Sequence, residues 1–269
     1  MFTRIRLAAF AALTAFTLLL SSASNAQPVL NRVVKSGKLR IGMSADQPPL
    51  NVKSKGGQMI GLEVDLAKGL GYALGLEVEL VQKPFGQLLP ALKKGQVDMV
   101  MSGVDITAER TKDFLFVGPY LLSGKSLVTA SKSLASAETV EDINTPDVSF
   151  VTLENSTSAA FVKKNVPKAK LVTVDTYEEA VAKVIDGSAS AMIADLPACI
   201  LAILKNPDAG LVTLEEPLSV EPMGIAVSAK DPRFHNLIDN YIDAIEATGI
   251  LSALRQKWFE DPAWLEELP

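Results

Sequence analysis

Cysteine and histidine are almost missing from this chain: Cys199 and His235 stand alone among 269 residues. One cysteine excludes an intramolecular disulfide, and one histidine without a cysteine cluster supplies no metal donor set. No metal and no other cofactor is expected. Neither a G-x-S-x-G elbow nor a phosphate-cradling G-x-x-x-x-G-K-[ST] loop occurs. Positive charge is in deficit, with 26 Lys and Arg against 31 Asp and Glu, which argues against nucleic acid or anionic lipid as a partner. Long apolar runs are also scarce. The one at the start, Leu7 to Leu20, follows Arg4 and Arg6 and precedes the small residues Ser24, Asn25 and Ala26. That order reads as a secretory signal, residues 1–26, cleaved after Ala26; a membrane anchor needs about 20 apolar residues. Losing Arg4 and Arg6 moves the net charge from −5 to about −7. The mature length suits one large or two modest domains, held together by packed cores.

What is present is an alternation of short strands and helices, the pattern of an α/β protein with parallel sheets and helical crossovers. "LRIGM" (Leu39 to Met43) reads as a strand. Leu62, Leu66, Leu70 and Leu74 give a helix with one buried face and a stop at Gly75. "VEL" (Val78 to Leu80), a helix marked by Leu88, Leu89 and Leu92, and "VDMVM" (Val97 to Met101) complete a β-α-β-α-β cycle. A second cycle runs through "VSFV" (Val148 to Val151), a helix from about Ser156, "LVTV" (Leu171 to Val174), a helix with Tyr177, Ala180, Val181, Val184 and Ile185, and "AMIA" (Ala191 to Ala194). The Ser-, Thr- and Asp-rich stretch 131–147 between them reads as loop.

The two cycles echo one another. Counted from Gly95 and Gly187, Asp98 matches Ser190 and Gly103 matches Asp195. Each half thus presents a residue just beyond the carboxyl end of an equivalent strand, the edge where open α/β sheets bind ligands. Asp231-Pro232 opens a tail helix with Leu237, Tyr241, Ala244, Ile245 and Thr248 along one face, and a last helix runs from Ile250 through Trp258. His235 reads as a solvated helix position and Cys199 as a buried small hydrophobe. The extended runs Ser126 to Ala130 and Gly224 to Val227 flank the second cycle as connectors. This divides the chain into a first lobe, 27–126 plus 228–269, and an inserted second lobe, 127–227.

The leader, "KLRIGMSADQPPLNVKSKGGQMIGLEVDLAKGL", "PFGQLLPALKKGQVDMVMSGVDITAER", "FVGPYLLSGKSLV" and "MGIAV" together resemble the extracellular solute-binding proteins of family 3. These are periplasmic receptors that feed polar amino acids to ABC importers. The resemblance covers the mature chain, with the run from Gly95 to Ser126 its most specific part. It implies a type II periplasmic-binding fold, two α/β lobes joined by two strands and closing over one ligand, with a membrane permease as partner. Nothing in the sequence suggests more than a monomer.

A free amino acid is a zwitterion, so a receptor needs a cation for its carboxylate and acids or carbonyls for its ammonium. Arg110 stands at the family's carboxylate-binding arginine, and its planar fork holds both oxygens; otherwise it is a surface partner of Asp105 or Glu109. Asp195 matches the position that receives the ammonium, and is also placed to cap the helix at Leu196-Pro197. Ser156 and Thr157 match the second lobe's carboxylate contacts, at a helix start whose free N–H groups suit an anion; Ser156 is equally placed as an ordinary N-cap. Phe85 resembles the aromatic that packs on the ligand, with a core position as the alternative. Gly103 would offer its carbonyl to the ammonium, the missing side chain allowing close approach.

Two positions depart from the family pattern. Gln47 stands where many relatives have an aromatic, and Asp105 where they carry Ser or Thr. Asp46 faces the cleft or caps a turn. Asp105 with Asp195 gives a surplus of acid that weakly favours a polar or cationic side chain, unless Lys125 neutralises Asp105. The expected protein is a binding protein and not an enzyme. A rival is a dehydratase of cyclic carboxylic acids such as prephenate or arogenate on the same scaffold, with Asp105 handling a proton. A ligand sensor for a signalling receptor is a third reading.

Overall fold

The computed structural model describes residues 28–137, 139–214 and 217–269; the expected signal segment lies outside them. Two five-stranded mixed sheets form the frame of a two-lobed α/β fold. In the first, β1 (Lys38–Met43) pairs in parallel with β5 (Glu77–Gln82) and with β6 (Met99–Val100). The long β13 (Glu221–Ser228) runs antiparallel to β6 and to β7 (Phe114–Ser123). In the second, β9 (Ser149–Leu153) pairs in parallel with β10 (Lys170–Val174) and β11 (Ala191–Asp195). Here β8 (Lys125–Thr129) runs antiparallel to β11 and to β12 (Val212–Thr213). The orders β5-β1-β6-β13-β7 and β10-β9-β11-β8-β12 are the same arrangement made twice. A small meander, β2 (Asp46–Gln47), β3 (Asn51–Lys53) and β4 (Met59–Ile60), sits at the top of β1.

The internal echo has a structural counterpart. Asp98 Oδ2 accepts the Arg40 N–H at 2.8 Å, and Asp98 N–H returns to the Arg40 carbonyl at 2.8 Å. Ser190 does the same with Ser149, at 3.0 and 2.8 Å. Each reciprocal pair follows a left-handed glycine, Gly95 or Gly187, and locks the third parallel strand against the first.

The helices supply the cores. Leu62, Leu66 and Leu70 of α2 (Leu62–Leu74) are buried against Leu39, Ile41 and Met43, and Gly75 ends the helix in the left-handed region (φ 64°). In the second lobe α7 (Tyr177–Ile185) and α8 (Leu196–Lys205) bury Ala180, Val184, Cys199 and Ala202 against Val128, Val151 and Met192. Cys199 is the buried hydrophobe expected of it.

Five expectations change. "VDMVM" pairs only over Met99–Val100, and stretch 131–147 holds two single-turn helices, Lys132–Ala135 and Val140–Ile143. In α9 (Pro232–Ala247) the buried face is Phe234, Ile238, Ile242 and Ile245, while Ala244 and Thr248 are exposed. The helix rolls so that Phe234, absent from the expected stripe, enters the first core. His235 is not solvated: its Nε2 lies 2.9 Å from the Phe116 carbonyl on β7. Gly224 to Val227 lies inside β13, where Ile225 to Val227 pair with first-sheet strands, and the pairing begins at Glu221 opposite Ser123. Gly124 stands between β7, the edge strand of the first sheet, and β8 of the second.

Candidate functional site

The carboxyl ends of β6 and β11 face one another across the seam between the sheets. Beyond β6 the chain turns at Gly103 in the left-handed region (φ 58°), a conformation natural to glycine. Its N–H is held at 2.8 Å by Glu63, a wholly buried carboxylate on α2 that also accepts from Asn51 Nδ2 at 2.5 Å and from the Tyr120 hydroxyl. A Cβ at Gly103 would fall 2.6 Å from Gln47 Oε1, so Gln47 lies over this turn. Asp105 follows, bridged to Met223 of β13. Arg110 opens a single 3-10 turn and folds back, Nη1 donating to the Asp105 carbonyl at 2.9 Å. Its Nη2 reaches the Asn155 carbonyl of the second lobe at 3.3 Å. Burial lowers the guanidinium pKa, while Asp105, Asp195 and Glu221 act to raise it.

Asp195 ends β11 directly opposite Lys125 of β8 in the ladder. Lys125 is 1% exposed and its ammonium meets three carboxylates: it donates to Asp195 Oδ1 at 2.6 Å and Asp105 Oδ2 at 3.0 Å, and is ion-paired with Glu221 Oε2 at 2.9 Å. Asp105 Oδ2 also accepts from the Thr157 hydroxyl, while Asp105 Oδ1 is buried without a hydrogen-bond partner. Burial alone would lower the Lys125 pKa, but the three carboxylates together hold it above the ordinary lysine value. Burial pushes Asp195 up to about 6, against the pull of Lys125. Burial also works to raise Asp105, yet Lys125, Glu221 and Thr157 outweigh it and hold Asp105 below the usual carboxylate range.

Ser156 caps α6 (Thr157–Asn165), its Oγ accepting the Ala159 N–H at 3.0 Å and donating to the Leu153 carbonyl at 2.6 Å. The hydroxyl is therefore committed to its own helix, and the exposed chemistry of that terminus is its N–H groups. Asp195 makes no capping bond to α8, so its carboxylate serves the cluster alone. Phe85, 9% exposed, packs with Leu88 and Leu92 in an apolar group that Leu153 and Tyr177 join from the second lobe. Asp46 reaches the seam too: Oδ2 accepts the Tyr177 N–H of the second lobe at 3.3 Å, and burial raises its pKa. Asn155 Nδ2 donates to the Gly86 carbonyl at 3.3 Å.

The expected residues are thus only partly brought together. Arg110 and Thr157 meet at Asp105, which Lys125 joins to Asp195; Gly103 and Gln47 form the neighbouring first-lobe turn on Glu63, while Ser156 stays with its own helix cap and Phe85 with the apolar group. Sequence reasoning missed Glu221, Glu63 and Tyr177. Tyr177 was read only as a helix-face residue, but burial and the fields of Asp195 and Asp46 raise its phenol well above the ordinary value. Only the charge of Glu221, standing at the entry to an apolar strand, could have flagged it. Among the described residues no helix is long and apolar enough to cross a membrane.

Residues 39–261 match the family model for bacterial extracellular solute-binding proteins, family 3. The chain is similar to the cyclohexadienyl dehydratase of Pseudomonas aeruginosa, 27% identical over 93% of each chain. It is also similar to the ABC transporter arginine-binding protein 1 of Escherichia coli, 28% identical over 82% of this chain and 90% of that one. A crystal structure of an ancestral amino-acid-binding protein, a precursor of cyclohexadienyl dehydratase, superposes with a TM-score of 0.78 at 34% identity, covering 87% of this chain and 100% of that one.

Proposed function

The chain belongs to the bacterial extracellular solute-binding proteins of family 3, and we propose that it is a periplasmic receptor that closes over a free amino acid and hands it to an ABC importer. We take the lobes as 28–123 with 221–269 and 125–214, the crossings being Gly124 and 217–220. One observation carries this reading: Arg110, a guanidinium, and an acid cluster drawn from both sheets meet on the seam beside the N-terminus of α6. A zwitterion laid there has a carboxylate partner in Arg110 and acids for its ammonium. The acids Asp46, Asp105, Asp195 and Glu221 outnumber the cations Lys125 and Arg110, which favours a solute of net positive charge; a relative binds arginine. A thermal-shift screen of amino acids identifies the solute, followed by calorimetry. Arg110→Ala should cost about 2–5 kcal/mol of affinity by unpairing a buried carboxylate. Near-normal binding by that variant rules the site out. Stronger binding of neutral amino acids than of lysine and arginine rules out the cationic preference.

A second reading is favoured by Asp195, a largely buried carboxyl whose pKa is pushed up to about 6 beside an ammonium. Such a group can deliver a proton at neutral pH, and a relative is a dehydratase. Turnover of prephenate or arogenate that disappears in Asp195→Asn would establish it in place of simple binding.

A further inference from the structure

In a two-lobed receptor the ligand ordinarily supplies the contacts that favour the closed form. Here the bridging charge is part of the chain. Lys125 and Asp195 are a cross-strand pair on the second sheet. Asp105 and Glu221 belong to the first: Asp105 is bridged to Met223, two residues along β13 from Glu221. The ammonium therefore joins one carboxylate of its own lobe to two of the other, at 2.6, 2.9 and 3.0 Å, while only 1% exposed. We propose that Lys125 is a positioning residue, a tethered cation that holds the two lobes closed whether or not a solute is bound.

The surroundings fix it in that role. Its backbone N–H donates to Ser219 Oγ at 3.1 Å, and Ser219 Oγ in turn donates to Glu221 Oε1 at 3.0 Å. The Leu218 N–H returns to the Lys125 carbonyl at 2.6 Å. The lysine thus projects from the place where both crossing segments touch, its ammonium donating to Asp195 and Asp105 and ion-paired with Glu221. Pulling the lobes apart would strand at least two buried carboxylates without their cation, a cost that a solute-dependent receptor meets only after its ligand leaves. The solute then tunes a closed state already populated instead of creating it.

The test reads lobe separation directly and needs no knowledge of the solute. Spin labels at Tyr72→Cys and Ile185→Cys, exposed positions on opposite lobes, report the inter-lobe distance by pulsed electron resonance; Cys199 is wholly buried and takes no label. Protein unfolded in guanidinium, dialysed in that state and refolded by removing the denaturant carries no solute. The wild type should then give the closed distance, with Lys125→Met and Glu221→Gln shifting the distribution to longer values at an unchanged number of folded molecules. Glu221→Gln keeps the test decisive if Lys125→Met does not fold. An open wild type, or variants that keep the wild-type distance, overturns the proposal. Either result leaves the amino-acid reading to be judged by the solute screen.

Discussion

Asp105 and Asp195 lie against the same ammonium, yet their proton affinities part. Asp105 has Thr157 and Glu221 beside Lys125 and is held below the ordinary range; Asp195 has its burial set against Lys125 and rises to about 6. The signs for stability are opposite. Native Asp195 binds its proton more tightly than the unfolded chain does, so it subtracts stability as pH climbs from the ordinary carboxylate range to about 6, and no more above that. Asp105 adds stability that is present above the unfolded value and is lost as acid protonates it below that range. A carboxyl-carbon NMR titration should find Asp195 near pH 6. Because Lys125 pulls that value down, Lys125→Met should move it higher; an unmoved or lowered titration would show that the ammonium does not sense Asp195. This chemistry was half legible. Lys125 was flagged as a possible partner for Asp105 from charge alone, but Glu221 was not, because nothing local brings residues 105, 125, 195 and 221 together.

Elements were more legible than their contacts, and for a physical reason. Gly75 after a leucine stripe, Asp231 before Pro232 and Ser156 at a helix start are local signals, and each marks a real boundary. The face of α9 was misjudged because two stripes, one through Leu237 and Tyr241 and one through Phe234 and Ile238, are nearly equal in apolarity. Packing against the first core decides between them. The extended runs read as connectors lie within β8 and β13 for the same kind of reason: extended runs look alike wherever the sheet boundary falls. Gly124 lies between the two sheets, against the segment 217–219. A Cβ there would meet the Ser219 carbonyl oxygen at 2.0 Å and Pro217 Cβ at 2.8 Å, both on the returning segment. Two backbones are pressed together, with no flexible side chain to yield. Gly124→Ala should destabilise the protein by about 1–3 kcal/mol, the usual range for overpacking, read as a lowered denaturant midpoint. A wild-type midpoint would mean the two segments separate freely.

At the scale of the whole molecule, folding of each lobe and closure of the pair are separable quantities, and Gly86 separates them. It lies in the first turn of the helix Phe85–Lys93, where alanine is preferred over glycine by about 1 kcal/mol. On the facing lobe, however, a Cβ would stand 3.0 Å from the Glu154 carbonyl oxygen and 3.2 Å from Asn155 Nδ2. A methyl group therefore favours the helix and opposes the approach of the lobes, whose contact here includes the Asn155–Gly86 hydrogen bond. Gly86→Ala should leave the melting temperature unchanged or raised while weakening binding of the screened solute roughly five- to tenfold, about 1–1.4 kcal/mol. Loss of stability and affinity together would assign the methyl to a folding defect. Unchanged affinity would show that binding does not require this seam to close, and calorimetry beside a thermal melt of the same sample distinguishes the outcomes.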